Sequence, residues 1–346
     1  RPLRWTVVVI GMLPADSFAV VMATGIVSVA ARYNGYPVVS AVLAVLAGVG
    51  LLVLATLAAV RRATVGRAFA DGPDPLTRTF GLFTFVAACS VLDARIGYAS
   101  LVVVFTLGPV AVIAWFAIGA QLPGAFRAAS PRTVRDRARG GWLLAAVATQ
   151  SLALTAAQLA RSGVAVTPLL VASLVWWLLG LLAYLLITGL IVSRLHATHL
   201  APEALTPDLW VLMGALAIAT VAGGTLALVA AGVPAFGWLP AALAPALLVV
   251  WLVAAAWIPL LVAIEIRRAR RSRPRYERAR WATVFPLGMF STACFLLGEV
   301  LARNPTTGFS AALRVTSHAM FWVAAAAWCA TAASMVLTWM AWIHHQ

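Results

Sequence analysis

The sequence contains no lysine and little charge of any kind: 10% of its 346 residues are charged, and all 25 basic residues are arginines. Soluble domains carry ~25% charged residues. Here 63% of the residues are hydrophobic and the mean hydropathy is +0.97, which excludes an ordinary soluble core and predicts an integral membrane protein. The net charge of +15 does not indicate a nucleic-acid partner, because nearly all the arginines lie between apolar segments.

The sequence also lacks the motifs of soluble catalysis. It has no Ser-His-Asp arrangement, no HExxH motif and no Walker loop. Its three cysteines all fall inside apolar segments and form no CxxC pair. We therefore expect no cofactor, no metal and no enzymatic activity. A membrane enzyme or regulatory scaffold is kept as an alternative, and it would need a cluster of catalytic groups that we do not find.

Apolar segments of about 20 residues, the length that crosses a bilayer, recur along the whole chain and predict one transmembrane domain over 1–346. The ten predicted spans are 16–33, 38–60, 76–94, 98–120, 141–160, 167–193, 209–231, 239–266, 281–302 and 317–343. With the N-terminus inside, twenty arginines fall on one side and five on the other. Because arginine marks cytoplasmic loops, both termini are placed in the cytoplasm and the spans pair as five helical hairpins.

The first span has an alternative interpretation as a cleavable signal peptide, with basic residues before an apolar run and Ala30-Ala31-Arg32 after it. The hydroxyl residues Thr24 and Ser28, with Gly25 between them, make this run less apolar than is usual for such a segment and favour a transmembrane helix.

Composition alternates between odd and even spans. Even spans are rich in Leu, Val and Trp, as lipid contact requires, whereas odd spans carry small, hydroxyl or amide residues at their centres, which suits close helix packing. This pattern predicts an all-α fold of ten helices around a central pore, with odd helices inside. The predicted pore-lining residues are Thr24, Gly25, Ser28, Ser90, Gln150, Thr220 and Ser291; the alternative is that small residues merely let the helices pack.

Few ionisable residues lie near the membrane. Asp93 and Arg95 are expected to form a solvated pair at the external end of the third span. Glu299, near the external end of the ninth span, is the candidate for coupling transport to protons, although it could also be a hydrated residue beside Arg303. A path lined by hydroxyls with arginines at its inner mouth favours anions over cations.

Two segments resemble the tellurite-resistance/dicarboxylate transporter family, which includes the slow anion channel of plant guard cells. They are the first span from Pro14 to Ser28, with Ala23 where the family often has Gly, and the ninth span with Trp281 and Phe285-Pro286-Leu287. The resemblance implies a homotrimer in which each protomer has its own pore, plugged by the side chain of Phe285. Pro286 would bend the helix so that this ring reaches the axis. Ordinary packing of Phe285 beside a helix-entry proline is the alternative.

The predicted function is passage of small anions across the cell membrane: chloride or nitrate, sulfite, a C4-dicarboxylate or a tellurite-type oxyanion. The alternative is a proton-coupled carrier of dicarboxylate or sulfite. Besides the anion, the expected partners are the lipid bilayer and the two other protomers of the trimer.

Overall fold

The computed structural model describes residues 13–69, 74–97, 100–198, 205–271, 278–303 and 309–344. Within these ranges the chain is helical and contains no strand. The ten main helices are α1 (Ala19–Tyr33), α2 (Pro37–Val65), α3 (Pro75–Ile96), α4 (Leu101–Gly119), α5 (Leu144–Ala160), α6 (Val166–Ala197), α7 (Val211–Ala230), α8 (Leu239–Arg271), α9 (Trp281–Ala302) and α10 (Phe309–His344).

Nine of these described helices, α2 to α10, lie in segments long and apolar enough to cross a membrane, and α1 is a shorter apolar helix of 15 residues. The chain is an all-α integral membrane protein, as its composition predicts. The bounds of α9 agree with the predicted span, whereas α10 begins eight residues before the predicted 317. The hydropathy signal misses that first stretch because it contains Ser310, Arg314 and Thr316.

Burial alternates along the chain in the predicted sense. The most apolar stretch of each segment is 72, 83, 94 and 83% buried for α3, α5, α7 and α9, but 28, 22, 33, 22 and 17% buried for the five even helices. In α1, 11 of the 15 residues are buried. Odd helices therefore form the interior and even helices the apolar surface, which suits contact with lipid.

The five odd helices form a closed ring, which we call the inner ring. Each packs against the next, α1 on α3, α3 on α5, α5 on α7 and α7 on α9, and α9 returns to pack on α1. Each even helix lies mainly against the odd helix that precedes it. The structure is thus five hairpins with their first helices inside.

The helices of the inner ring run parallel. Gly214 and Gly224 of α7 lie against Pro286 and Leu296 of α9. Residue numbers therefore increase in the same direction along both helices, by ten in each. Ile26 and Tyr33 of α1 meet Gly288 and Phe295 of α9, a match of seven residues with seven. Likewise Gly81 and Val91 of α3 meet Ala15 and Gly25, and Gly141 before α5 meets Asp208 before α7. All inner helices therefore begin at one end, which also holds the loops with most of the arginines; we call it the arginine-rich end.

Short 3₁₀ turns precede three inner helices at this end: Gly140–Leu143 before α5, Pro207–Trp210 before α7 and Arg278–Arg280 before α9. The carboxylate of Asp208 accepts a hydrogen bond from the amide of Gly141 at 2.8 Å. This contact ties the start of α5 to the start of α7 and holds the mouth of the inner ring together at the arginine-rich end.

Candidate pore

The side chains of α9 show which face of this helix each neighbour covers. Pro286 and Leu296 lie against α7, Phe290 and Cys294 contact Trp251 of α8, Ser291 and Gly298 lie against α10, and Gly288 and Phe295 lie against α1. These contacts cover all of the helix except one stripe between the α1 and α7 sides. Because α1 and α7 are the two ring neighbours of α9, that stripe faces the interior of the ring.

The stripe contains Phe285 and Thr292, with Met289 at its border beside Pro286 and Leu296, which touch α7. The spacing of four and three residues from Phe285 to Met289 and Thr292 puts them on one side of the helix. Phe285, Met289 and Thr292 are 0, 0 and 1% exposed, so the interior is filled at this level. The sequence analysis identified Phe285 but not Met289 and Thr292, which the helical repeat counted from Phe285 would have found.

Pro286 lies inside α9, which continues through it without a break. Its ring fits against Gly214 of α7: a Cβ atom at Gly214 would lie 2.7 Å from the Pro286 Cγ atom. Only glycine allows this approach, so α7 and α9 are in close contact at the residue that follows Phe285.

Three of the predicted lining residues direct their hydroxyl groups at outer helices. Trp328 of α10 donates to the Thr24 hydroxyl at 3.0 Å. The Ser28 hydroxyl donates to the carbonyl of Ser40 in α2 at 2.6 Å, and the Ser291 hydroxyl donates to the carbonyl of Ser317 in α10 at 2.7 Å. The Ser28 and Ser291 hydroxyls join the two helices of their own hairpins, whereas Thr24 joins α1 to the outer helix of the last hairpin.

The other four predicted lining residues are also buried. The Gln150 amide donates to the carbonyl of Trp177 in α6 at 2.9 Å, and Gly25 lies against Val91 of α3. The Thr220 hydroxyl bonds within its own helix, to the carbonyl of Leu216 at 3.0 Å. Ser90 is fully buried and its hydroxyl has no partner in the described structure. A lining role for these seven residues stays a prediction.

The expected pair of Asp93 and Arg95 is wrong. The Arg95 Nε atom donates to the hydroxyls of Ser40 at 2.7 Å and Ser28 at 3.1 Å. Asp93 is fully buried, and neither of its carboxylate oxygens has a hydrogen-bond partner in the described part of the chain. Residues two apart on a helix point to different sides, so burial of α3 sends these side chains to separate surroundings.

Glu299 lies at the end of the inner ring opposite the arginine-rich end, which we call the far end. Its carboxylate pairs with the Arg314 guanidinium of α10 at 2.6 Å, and its side chain is 34% exposed. It also lines a cavity of about 470 Å³, together with Ala160, Arg161, Val166, Leu228, Val229, Gly232, Val233 and Arg303. Among the described residues, no group of three His, Cys, Asp or Glu side chains could hold a metal ion.

Sequence comparison adds a decisive observation to this geometry. Residues 12–336 match the family described as voltage-dependent anion channels. The chain belongs to this family. The match runs from before α1 into α10, and it confirms the resemblance to tellurite-resistance/dicarboxylate transporters and to slow anion channels.

Two curated relatives are membrane proteins without an assigned activity. They are the uncharacterized membrane proteins MT1776 and Rv1735c of Mycobacterium tuberculosis strains CDC 1551 and H37Rv. Each is 34% identical over 174 residues, which cover 47% of this chain and 76% of the relative. Family membership supports anion transport across a membrane, and the apolar helices place the chain in the membrane as a multi-pass protein.

Proposed function

We propose that the interior of the inner ring is an anion pore and that each protomer carries its own. The observation that carries this proposal is the closed ring of five parallel, buried helices in a chain of an anion-channel family. The lipid-facing even helices form a scaffold around it. The anions are small: chloride or nitrate, sulfite, a C4-dicarboxylate or a tellurite-type oxyanion. Assembly as a homotrimer belongs to the same proposal.

The proposed gate is Phe285. Its ring is fully buried, and its helix face is the one that α1, α7, α8 and α10 leave uncovered. An apolar constriction blocks ions because it offers no groups to replace their water. Met289, one turn further along α9, extends the apolar stretch. The contact of Pro286 with Gly214 would set the position of the Phe285 ring along the axis of the pore.

Charge at the arginine-rich end supports anions as the permeant species. The described exposed or half-buried arginines there include Arg127, Arg132, Arg194, Arg267 and Arg280. They surround the starts of five parallel helices, each of which contributes a positive partial charge. Both effects raise the local concentration of anions at the mouth of the ring.

The test is anion flux in liposomes for wild type, Phe285→Ala and a matched control, Phe290→Ala. Phe290 is a phenylalanine on the same helix and is 2% exposed, but it stacks on Trp251 of α8 at 5.7 Å. Each variant loses a buried ring, at a cost of ~3–5 kcal/mol of stability. We expect nitrate or chloride flux to rise in Phe285→Ala alone. Equal flux in the two variants would refute the gate.

A proton-coupled carrier is the second candidate, because the inner ring contains a buried carboxylate. Asp93 has no hydrogen-bond partner in the described structure, whereas Glu299 already pairs with Arg314. A carrier needs a carboxylate that binds and releases a proton during transport. Asp93 is therefore a second residue to test beside Glu299.

A further inference from the structure

Three polar side chains of α3 and α5 are buried without hydrogen-bond partners. Ser90 and Asp93 of α3 are fully buried, and Thr155 of α5 is 4% exposed. Within the described ranges, the two hydroxyls and both carboxylate oxygens bond to nothing. Most buried polar atoms in proteins are hydrogen-bonded, so each unpaired one needs a specific explanation. The explanation depends on whether these four oxygens lie together.

The Asp93 carboxylate lies on the side of α3 that faces α4. Val91 meets Gly25 of α1, and residues two apart on a helix point to different sides. Asp93 therefore points away from α1. A Cβ atom at Gly97 would lie 2.7 Å from the Val104 Cγ2 atom of α4 and 3.5 Å from an Asp93 carboxylate oxygen. These distances place the carboxylate beside α4.

Thr155 reaches the same part of α4 from α5. A Cβ atom at Gly108 would lie 3.1 Å from the Thr155 Cγ2 atom. Gly108 is one turn from Val104 along α4, and Asp93 is one turn from Gly97 along α3. Because the two helices of this hairpin are antiparallel, both steps lead toward the arginine-rich end. Asp93 and Thr155 thus lie at one level beside α4.

The register of α3 and α5 gives the same level independently. The rings of Phe80 and Trp142 stack at a centroid distance of 4.8 Å near the starts of these parallel helices. Thirteen residues further along each chain stand Asp93 and Thr155. Ser90 is one turn before Asp93 on a neighbouring part of the same face. The four oxygens therefore form one group between α3, α4 and α5, which we call the oxygen cluster.

The chemistry of the oxygen cluster favours a metal cation. It offers only oxygen ligands, the type that hard cations prefer, and one of its three side chains is a carboxylate. A net charge is costly to bury, so a single positive charge balances Asp93, whereas a divalent ion would leave an excess. A proton would also neutralise Asp93, but it would bind to one of the four oxygens and leave the others unexplained.

We propose that the oxygen cluster binds a monovalent metal cation such as sodium, with Asp93, Ser90 and Thr155 as its protein ligands and water completing the coordination shell. The cation neutralises Asp93 without a proton, so this site is distinct from the proton-coupled carrier considered above. It holds α3 and α5 together beside α4. The site goes beyond the proposed pore and does not depend on anion transport.

The test is thermal unfolding of the detergent-solubilised full chain in sodium or potassium chloride against choline chloride. Chloride is kept constant, so that binding of anions does not contribute, and the pH is about 8, where ordinary carboxyl groups are ionised. A ligand that binds only the folded state stabilises it in proportion to the logarithm of its concentration above Kd. We expect the unfolding temperature of wild type to rise with the concentration of sodium, of potassium or of both.

Asp93→Asn should abolish this rise, because it removes the charge and keeps the shape of the side chain. Ser90→Ala/Thr155→Val, which leaves the carboxylate in place, should raise the cation concentration needed for the same shift at least tenfold. The matched control is Asp74→Asn, which makes the same change at a buried carboxylate that caps the start of α3. It should keep the wild-type response.

The outcomes separate a cation from a proton and from water. If wild type unfolds at the same temperature in all three salts, or if Asp93→Asn keeps the rise, the cation site is wrong. Loss of the rise in Asp74→Asn as well would also overturn it, because the effect would then not belong to the oxygen cluster. Stabilisation by acid alone, removed by Asp93→Asn, would assign a proton to Asp93 in place of a metal ion. Absence of anion flux would leave these results unaffected.

Discussion

The contact between Gly214 and Pro286 gives a quantitative test of how α7 holds the gate helix. In Gly214→Ala the new Cβ atom would lie 2.7 Å from the Pro286 Cγ atom, 3.0 Å from its Cβ and 3.3 Å from its Cα. Carbon atoms pack at ~3.5–4.0 Å, so the helices must separate locally by ~1 Å. Overpacking of this kind costs ~1–3 kcal/mol. The displaced proline adjoins Phe285, so we expect anion flux to rise as well.

The matched control is Gly48→Ala in α2, where no atom lies within 4 Å of the new Cβ. Both variants gain the same helix propensity from alanine, ~1 kcal/mol at most, so the difference between them isolates the contact with Pro286. We expect Gly214→Ala to unfold ~1–3 kcal/mol more easily than Gly48→Ala in a denaturant titration in detergent. If the two variants have equal stability and equal flux, α7 does not hold α9 by this contact, and our account of how Phe285 is positioned fails.

Two further predictions concern polar side chains in or at the ends of the inner helices. The Asn34 amide lies 3.3 and 3.2 Å from the hydroxyls of Ser291 and Ser317. Asn34→Ala should lower the free energy of unfolding by ~1 kcal/mol; the loss is small because Ser291 keeps its bond to the Ser317 carbonyl. An unchanged denaturation curve would contradict this. Asp93→Asn and Glu299→Gln distinguish channel from carrier: a channel should keep its flux in both variants with or without a pH gradient, whereas loss of gradient-driven flux in either one would identify a carrier and the carboxylate that serves it.

The division into inner and outer helices could be predicted from composition because lipid and protein select different residues. A helix in contact with lipid gains nothing from a hydroxyl, whereas one surrounded by protein can bond it. Thr24 and Ser291 in odd spans and the leucine-rich α6 follow this rule. Since the whole helix is affected, errors of a few residues in its bounds do not disturb the prediction.

The direction of individual hydroxyl groups could not be predicted in the same way. A buried odd helix is surrounded by its own hairpin partner, two ring neighbours and the interior, and composition does not say which of these a serine faces. Ser28 illustrates this, because its partners Ser40 and Arg95 come from two other helices. The gate position of Phe285 comes from the family resemblance rather than from composition, and it stays a prediction.

Parallel inner helices have a consequence that an alternating bundle would not share. In an up-and-down bundle each helix dipole is offset by an antiparallel neighbour, but here the antiparallel helices are all in the outer layer, farther from the interior than the inner ring. At the arginine-rich end, the positive starts of the inner helices therefore contribute more to the electrostatic potential of the interior than the negative ends of the outer helices beside them. At the far end, the negative ends of the inner helices contribute more than the positive starts of the outer helices. An anion would meet attraction at one mouth and repulsion at the other. Arginines at the ends of α1, α3, α5 and α9 reduce this asymmetry. This role explains why arginines are present at the far end, where the rule that places positive charge in cytoplasmic loops predicts the fewest.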